Sequence, residues 1–266
     1  MIGAIAGDII GSVYERDNTH DPNFQPLFHF NSRFTDDTVC TIAIADALMN
    51  GLDVAATLRE YYKRYPLAGY GPGYARWAAH PELGPYYSSG SGAAMRISPV
   101  GWIADSLDSC LSLAQQATEI THNHPEGIRG AQVVAGCIFH ARQGKPRDYI
   151  AAYYRSFGYP AVGRSRSCSC QVVVPVAVES FLESFSWESA VRIAVSKGGD
   201  SDTIASIAGA ISEAFYNDIP WAVWQGVRER LTDDLIPVVT EFGKRYCNGV
   251  SLRGDAATLD RLPATG

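Results

Sequence analysis

No run of about 18 uninterrupted apolar residues occurs in the 266-residue chain, so no membrane-spanning helix is expected. Basic blocks and stripes are also missing, and the formal net charge is −6, so a nucleic-acid partner is not expected. Paired cysteines are scarce. Cys40, Cys110, Cys137 and Cys247 stand alone in apolar surroundings, as reduced buried thiols do. The close pair Cys168-Ser169-Cys170 lacks two further ligands at zinc spacing, so no zinc site is expected there. The opening Met1-Ile2-Gly3-Ala4-Ile5-Ala6-Gly7-Asp8 has no basic leader and is interrupted by an acid, so no secretory signal is expected and a cytoplasmic location is.

Several familiar catalytic signatures are absent too. The chain has no Gly-x-x-x-x-Gly-Lys-(Ser/Thr), no Gly-x-Ser-x-Gly and no His-Glu-x-x-His. Gly90-Ser91-Gly92 lacks the third glycine of a dinucleotide fingerprint because Met95 occupies that place. With 46% hydrophobic and 19% charged residues, the composition is that of a globular protein long enough to bury a core. One domain spanning residues 1–266 is expected, with the tail after about residue 249 peripheral.

What the chain does have is one acidic design used twice. Lys197-Gly198-Gly199-Asp200-Ser201-Asp202-Thr203 leads into Ile204, Ile207, Ala208, Ile211 and Phe215 at helical spacing. Phe34-Thr35-Asp36-Asp37-Thr38 leads likewise into Val39, Ile42, Ala43 and Ile44. The two share the string Asp-Thr-(Val/Ile)-x-x-Ile-Ala, at 37–43 and at 202–208. Both acid groups therefore sit at helix entrances, where Asp200 and Asp202 can converge from one side of an extended loop.

Brought together, these acids repel. Two bare carboxylates about 4 Å apart repel by roughly 4 kcal/mol at an effective dielectric near 20. Helix N-termini offer only about half a positive charge each, and a lysine such as Lys197 beside the second cluster does not balance four acids. A divalent cation balances the cluster economically. Carboxylate and threonine oxygens suit Mg²⁺ or Mn²⁺ and not zinc, and two ions suit a duplicated design.

Taken in order, the chain reads as successive helices. The first covers 2–15, with Gly3, Gly7 and Gly11 in a stripe that suits close packing on another helix, while Asp8 and Glu15 read as solvated surface that nonetheless interrupts apolar runs. A loop over 16–33 precedes helices at 38–50 and 53–65, the latter capped by Asp53. Residues 66–99, rich in glycine, proline and tyrosine, read as irregular structure forming a ligand wall. Helices follow at 101–120, 127–143 and 146–157, then a loop at 158–171 and a helix bent at Pro175 over 171–184. Further helices are expected at 187–196, 202–216, 220–231 and 234–246. The His122-Asn123-His124-Pro125 junction can face a ligand or be structural.

Five segments in this order carry a family resemblance: Gly7-Asp8-x-x-Gly11-x-x-x-Glu15, Phe34-Thr35-Asp36-Asp37-Thr38, Gly90-Ser91-Gly92-Ala93-Ala94-Met95-Arg96, Thr121-His122 and Gly198-Gly199-Asp200-Ser201-Asp202-Thr203. Together, over residues 3 to about 216, they resemble the ADP-ribosylglycohydrolase family. The resemblance implies an all-α bundle around a dinuclear metal cleft, with two Mg²⁺ (or Mn²⁺) ions at Thr35, Asp36, Asp37, Asp200, Asp202 and Thr203. It also implies an acid at the reaction centre, Glu15. Ser88, Ser89, Gly90, Ser91 and Gly92, with Met95, would wrap ribose and diphosphate, and His122 would stand on the ligand side. Ser91 departs from the asparagine common in that loop, which removes one amide hydrogen bond.

The expected activity is metal-dependent hydrolysis of the bond between ADP-ribose and an acceptor on a modified protein or small molecule, with Glu15, Asp36 or Asp37 orienting or deprotonating water. A non-catalytic ADP-ribose binder or immunity-type protein, a structural relative with a relict site and a two-metal phosphohydrolase are the alternatives.

Overall fold

The computed structural model describes residues 1–160, 165–247 and 249–253. Helix α1 (Ile2–Gly11) is followed after a long loop by α2 (Asp36–Asn50), α3 (Val54–Arg64) and α4 (Pro72–Ala79). A 3-10 turn at Ser91–Ala93 precedes α5 (Ser98–Ile103), α6 (Leu107–Glu119), α7 (Pro125–Arg142) and α8 (Arg147–Ser156). The series ends with α9 (Cys170–Glu183), α10 (Trp187–Lys197), α11 (Ser201–Tyr216), α12 (Trp221–Arg228) and α13 (Ile236–Tyr246). The described structure is all-α apart from one short parallel ladder, β1 (Asp218–Pro220) on β2 (Ser251–Arg253). No helix among the described residues is long and apolar enough to cross a membrane.

The glycine stripe explains the centre of the fold. Helix α1 lies along α11, and both are almost entirely buried. A methyl group at Gly7 would stand 2.2 Å from the Ala205 carbonyl oxygen, and one at Gly11 would stand 2.5 Å from Asp202 Cα. Only hydrogen fits there, so the propensity cost of glycine is offset by close helix contact. At the other end, the carboxylate of Glu213 on α11 accepts from the Ile2 and Gly3 amides at 3.1 and 2.8 Å, satisfying first-turn donors of α1. Helices α7, α9 and α10 pack on α11, while α2 packs on α3, α5 and α13.

Several expected boundaries move. The first helix stops at Gly11 rather than at residue 15. Ser12 Oγ donates to the Ile9 carbonyl and accepts from the Arg33 amide, turning the chain out of the helix. Glu15 therefore sits in a turn, exposed, and does not share a helix face with Asp8. The expected helix over 101–120 is two helices, because Ser106 caps α6 by accepting from the Ser109 amide at 3.1 Å. The region over 66–99 holds α4, opened by Pro72 at its first position, and the start of α5. Just after residue 249, Ser251 donates its amide to the Asn217 carbonyl at 2.8 Å. The rest of that tail, from residue 254, lies outside the described residues, as do residues 161–164 of the expected loop.

Candidate active site

The repeated string places equivalent residues at equivalent helix positions. Thr35 and Asp200 are the N-caps of α2 and α11, and Asp37 and Asp202 each occupy the second helical position with Thr38 and Thr203 behind them. Because α1 holds α11 so closely, the two helix starts meet. Carboxylate oxygens of Asp8, Asp37 and Asp202 lie within 4.8 Å of one another, all buried. Thr203 Oγ1 donates to Asp37 Oδ2 across the junction at 3.3 Å. Asp36 and Asp200 are half-buried beside them. Asp202 starts the helix instead of extending a loop, yet its side chain still reaches that of Asp200.

Asp8 read as solvated surface in the sequence, and it is fully buried. Its Oδ2 accepts from the Thr35 amide at 2.9 Å, from the Thr38 amide at 3.2 Å and from the Thr38 hydroxyl, while its Oδ1 accepts from Thr35 Oγ1 at 2.7 Å. These bonds pin the turn that begins α2. Asp8 is thus the anchor that sequence reasoning missed, and its signal was an acid in the middle of an otherwise apolar, glycine-striped helix.

The cluster has no basic partner among the described residues, because Lys197 points away to pair with Glu183 at 2.8 Å. Burial pushes the Asp8 carboxyl up to about 6 against the pull of its four hydrogen bonds. Burial, then the charges of Asp8, Asp200 and Glu15, raises Asp36 to about 7. Asp37 is held well above the usual carboxylate range by burial and the charge of Asp202, and Asp202 by burial and the charge of Asp200. Asp37 Oδ1 is buried without a hydrogen-bond partner among the described residues. An orphaned carboxylate oxygen amid converging acids, two helix N-termini and threonine hydroxyls fits a hard divalent cation.

A family profile for ADP-ribosylglycohydrolases matches residues 1–249. The chain belongs to the ADP-ribosylglycohydrolase family. It is 23% identical over 304 residues to ADP-ribosylhydrolase ARH3 of Mus musculus, covering 81% of this chain and 82% of that one. With ADP-ribosylhydrolase ARH3 of Homo sapiens the identity is 24% over 305 residues, covering 81% and 84%. A solved structure described as an ADP-ribosylglycohydrolase-related protein complex superposes with a TM-score of 0.68 at 21% identity, covering 91% of this chain and 96% of that one.

In this member of the family the remaining sequence-derived site residues fall around the acids in different ways. Ser91 Oγ donates to Asp200 Oδ2 at 3.1 Å, and the Ser91 amide donates to the Cys168 carbonyl at 2.7 Å. Ser89 accepts from the Cys170 amide at 3.0 Å, so the 88–92 loop is braced by the segment before α9. Ser88 Oγ accepts from the Gly90 amide at 3.1 Å. A Cβ at Gly92 would lie 2.9 Å from His122 Nε2, which puts that ring directly behind the loop. Met95 is buried core, its carbonyl accepting from Thr41 Oγ1. His124 is structural: its side chain caps α7 by accepting from the Glu126 amide. Glu15 is exposed, and its charge acts on Asp36 and Asp202. A further support lies just beyond it, where Asn18 Oδ1 accepts from the Gly199 amide at 3.0 Å and Asn18 Nδ2 donates to the Gly199 carbonyl at 3.1 Å. Gly198 and Gly199 both take positive φ, at 74° and 82°, and this clamp holds the turn that carries Asp200.

Proposed function

We propose that this ADP-ribosylglycohydrolase cleaves the glycosidic bond between ribose C1″ of ADP-ribose and an acceptor atom on a modified protein or small molecule, with a divalent cation bound. The observation that carries this reading is the buried meeting of Asp37 and Asp202 from two copies of one helix-start design, with Asp37 Oδ1 unpartnered among the described residues. Asp36, Asp37, Asp200 and Asp202, with the Thr35 and Thr203 hydroxyls, would hold two ions, Mg²⁺ or Mn²⁺. When bound, such ions polarise the ribose hydroxyl oxygens and offset the acid charge.

The chain's own groups do the rest. The loop of Ser88, Ser89, Gly90, Ser91 and Gly92 wraps diphosphate and ribose, with the Ser88, Ser89 and Gly92 amides and the Ser89 hydroxyl as its donors, because the Gly90 and Ser91 amides and the Ser91 hydroxyl already bond within the protein; His122 stands behind the loop and Met95 packs beneath it. Glu15, whose carboxylate has no hydrogen bond among the described residues, takes the proton of the attacking water at an Oε atom as the bond from C1″ to the acceptor breaks, and the acceptor leaves with a proton from bulk water. Asp36 and Asp37 hold the sugar side of the cleft.

The test is a panel of arginine-, serine- and ester-linked ADP-ribose substrates incubated with Mg²⁺, Mn²⁺ or chelator. Intact ADP-ribose is the expected product, and only with the ion present. AMP plus ribose phosphate would instead indicate phosphodiester cleavage, and binding without any product would indicate a recognition module. Glu15→Gln is expected to lower turnover by about 10²–10⁴-fold with little change in ADP-ribose affinity.

A further inference from the structure

Arg96, immediately after the loop and Met95, is fully buried and makes no ion pair with a carboxylate among the described residues. Its Nη2 donates to Thr121 Oγ1 at 2.6 Å, while Nε and Nη1 have no hydrogen-bond partner among the described residues. Thr121 is also fully buried, and its Oγ1 lies 2.7 Å from His122 Nδ1 and 3.4 Å from the Thr118 carbonyl oxygen.

A guanidinium can only donate, so Arg96 occupies a lone pair of the Thr121 oxygen and leaves the hydroxyl proton to find an acceptor. At 2.7 Å the imidazole nitrogen is a far better acceptor than a carbonyl at 3.4 Å. Nδ1 then carries the lone pair and the ring proton sits on Nε2. The field of the buried cation acts in the same direction, because the alternative tautomer turns the positive end of the ring dipole toward the guanidinium. Burial and the Arg96 charge also hold the His122 pKa well below the usual imidazole range, so the ring is neutral. Nε2 has no protein partner among the described residues and faces the Gly90 and Gly92 backbone.

We infer that Arg96, acting through the Thr121 hydroxyl, fixes His122 as the Nε2–H tautomer, presenting a single donor to the serine and glycine loop. Arg96 is a positioning residue in this scheme. The ligand-side consequence rests on the function proposed above: the acceptor would be a diphosphate or ribose oxygen of ADP-ribose.

The experiment is long-range ¹H–¹⁵N NMR of the histidine-labelled full chain without ligand, followed by ADP-ribose titration of Thr121→Val and Thr121→Ser. Wild type is expected to show a pyrrole-type Nε2 and a pyridine-type Nδ1 at His122. Thr121→Val, which keeps the shape and deletes the hydroxyl, is expected to change those shifts and weaken ADP-ribose binding by about tenfold, with Thr121→Ser restoring both. A protonated Nδ1 in wild type, or unchanged His122 shifts in Thr121→Val, would overturn the relay. Unchanged affinity in Thr121→Val would overturn the donor role. Failure of wild type to bind ADP-ribose at all would count against the proposed function, while the ligand-free spectra still decide the tautomer.

Discussion

Asp8 does more for the site than its isolation in sequence suggests. Its two oxygens collect bonds from the amides and hydroxyls of Thr35 and Thr38, residues 27 and 30 positions away. Asp8→Ala would leave those buried donors unpaired and is expected to cost about 3 kcal/mol or more, whereas Asp8→Asn keeps one acceptor and should cost roughly a third of that. Urea midpoints of the two variants, with and without Mg²⁺, check both the order and the accompanying loss of metal-induced stabilisation. Asp8 was hard to read because its role depends on which distant amides it meets. Asp37 and Asp202 were easier, since a doubled Asp-Thr string before an apolar helical run is visible without any fold.

At the scale of elements, the contact between α1 and α11 sets the spacing of the acids. Gly7→Ala puts a methyl group against the Ala205 carbonyl and is expected to cost about 1–3 kcal/mol by forcing the helices apart. The same shift should weaken Mg²⁺ stabilisation although residue 7 touches no ion, which calorimetry with and without the metal would measure. The packing of α7 on α8 carries a separate pH dependence. His140 on α7 is buried, both ring nitrogens lack hydrogen-bond partners among the described residues, and the rings of Phe139, Tyr149 and Tyr153 surround it at 5.6, 5.0 and 4.8 Å. Burial and the Lys145 charge lower its pKa, so the folded state favours the neutral ring. That contribution is fully present above the unfolded value of about 6.5 and is lost as pH falls below it. His140→Leu should therefore flatten part of the decline in urea midpoint between about pH 7 and 5. Element type was legible from periodicity and caps, as Asp53 shows by accepting from the Ala56 amide at 2.6 Å to open α3. Boundaries set by cross-chain bonds were not, and Ser12, claimed by the Arg33 amide, ends α1 earlier than its pattern implies.

Across the whole molecule, two segments far apart in the chain share one electrostatic problem. Without metal, Asp37 and Asp202 destabilise each other, so Asp37→Asn or Asp202→Asn should raise the thermal midpoint of the metal-free protein. The double variant should gain less than the sum, because removing either charge relieves the other. With saturating Mg²⁺ the order should reverse, wild type being the most stable; thermal unfolding in chelator and in Mg²⁺ reads both signs. The amino-acid sequence by itself determined the helical elements, the two acid-tipped helix starts and the glycine stripe, because periodicity, capping and steric size are local properties of neighbouring residues. Only the tertiary structure decided that those starts face each other, that Asp8 anchors one of them and that Arg96 lies buried behind His122. Each of these depends on the register between distant helices, which is set by many packing contacts at once and is encoded at no single position.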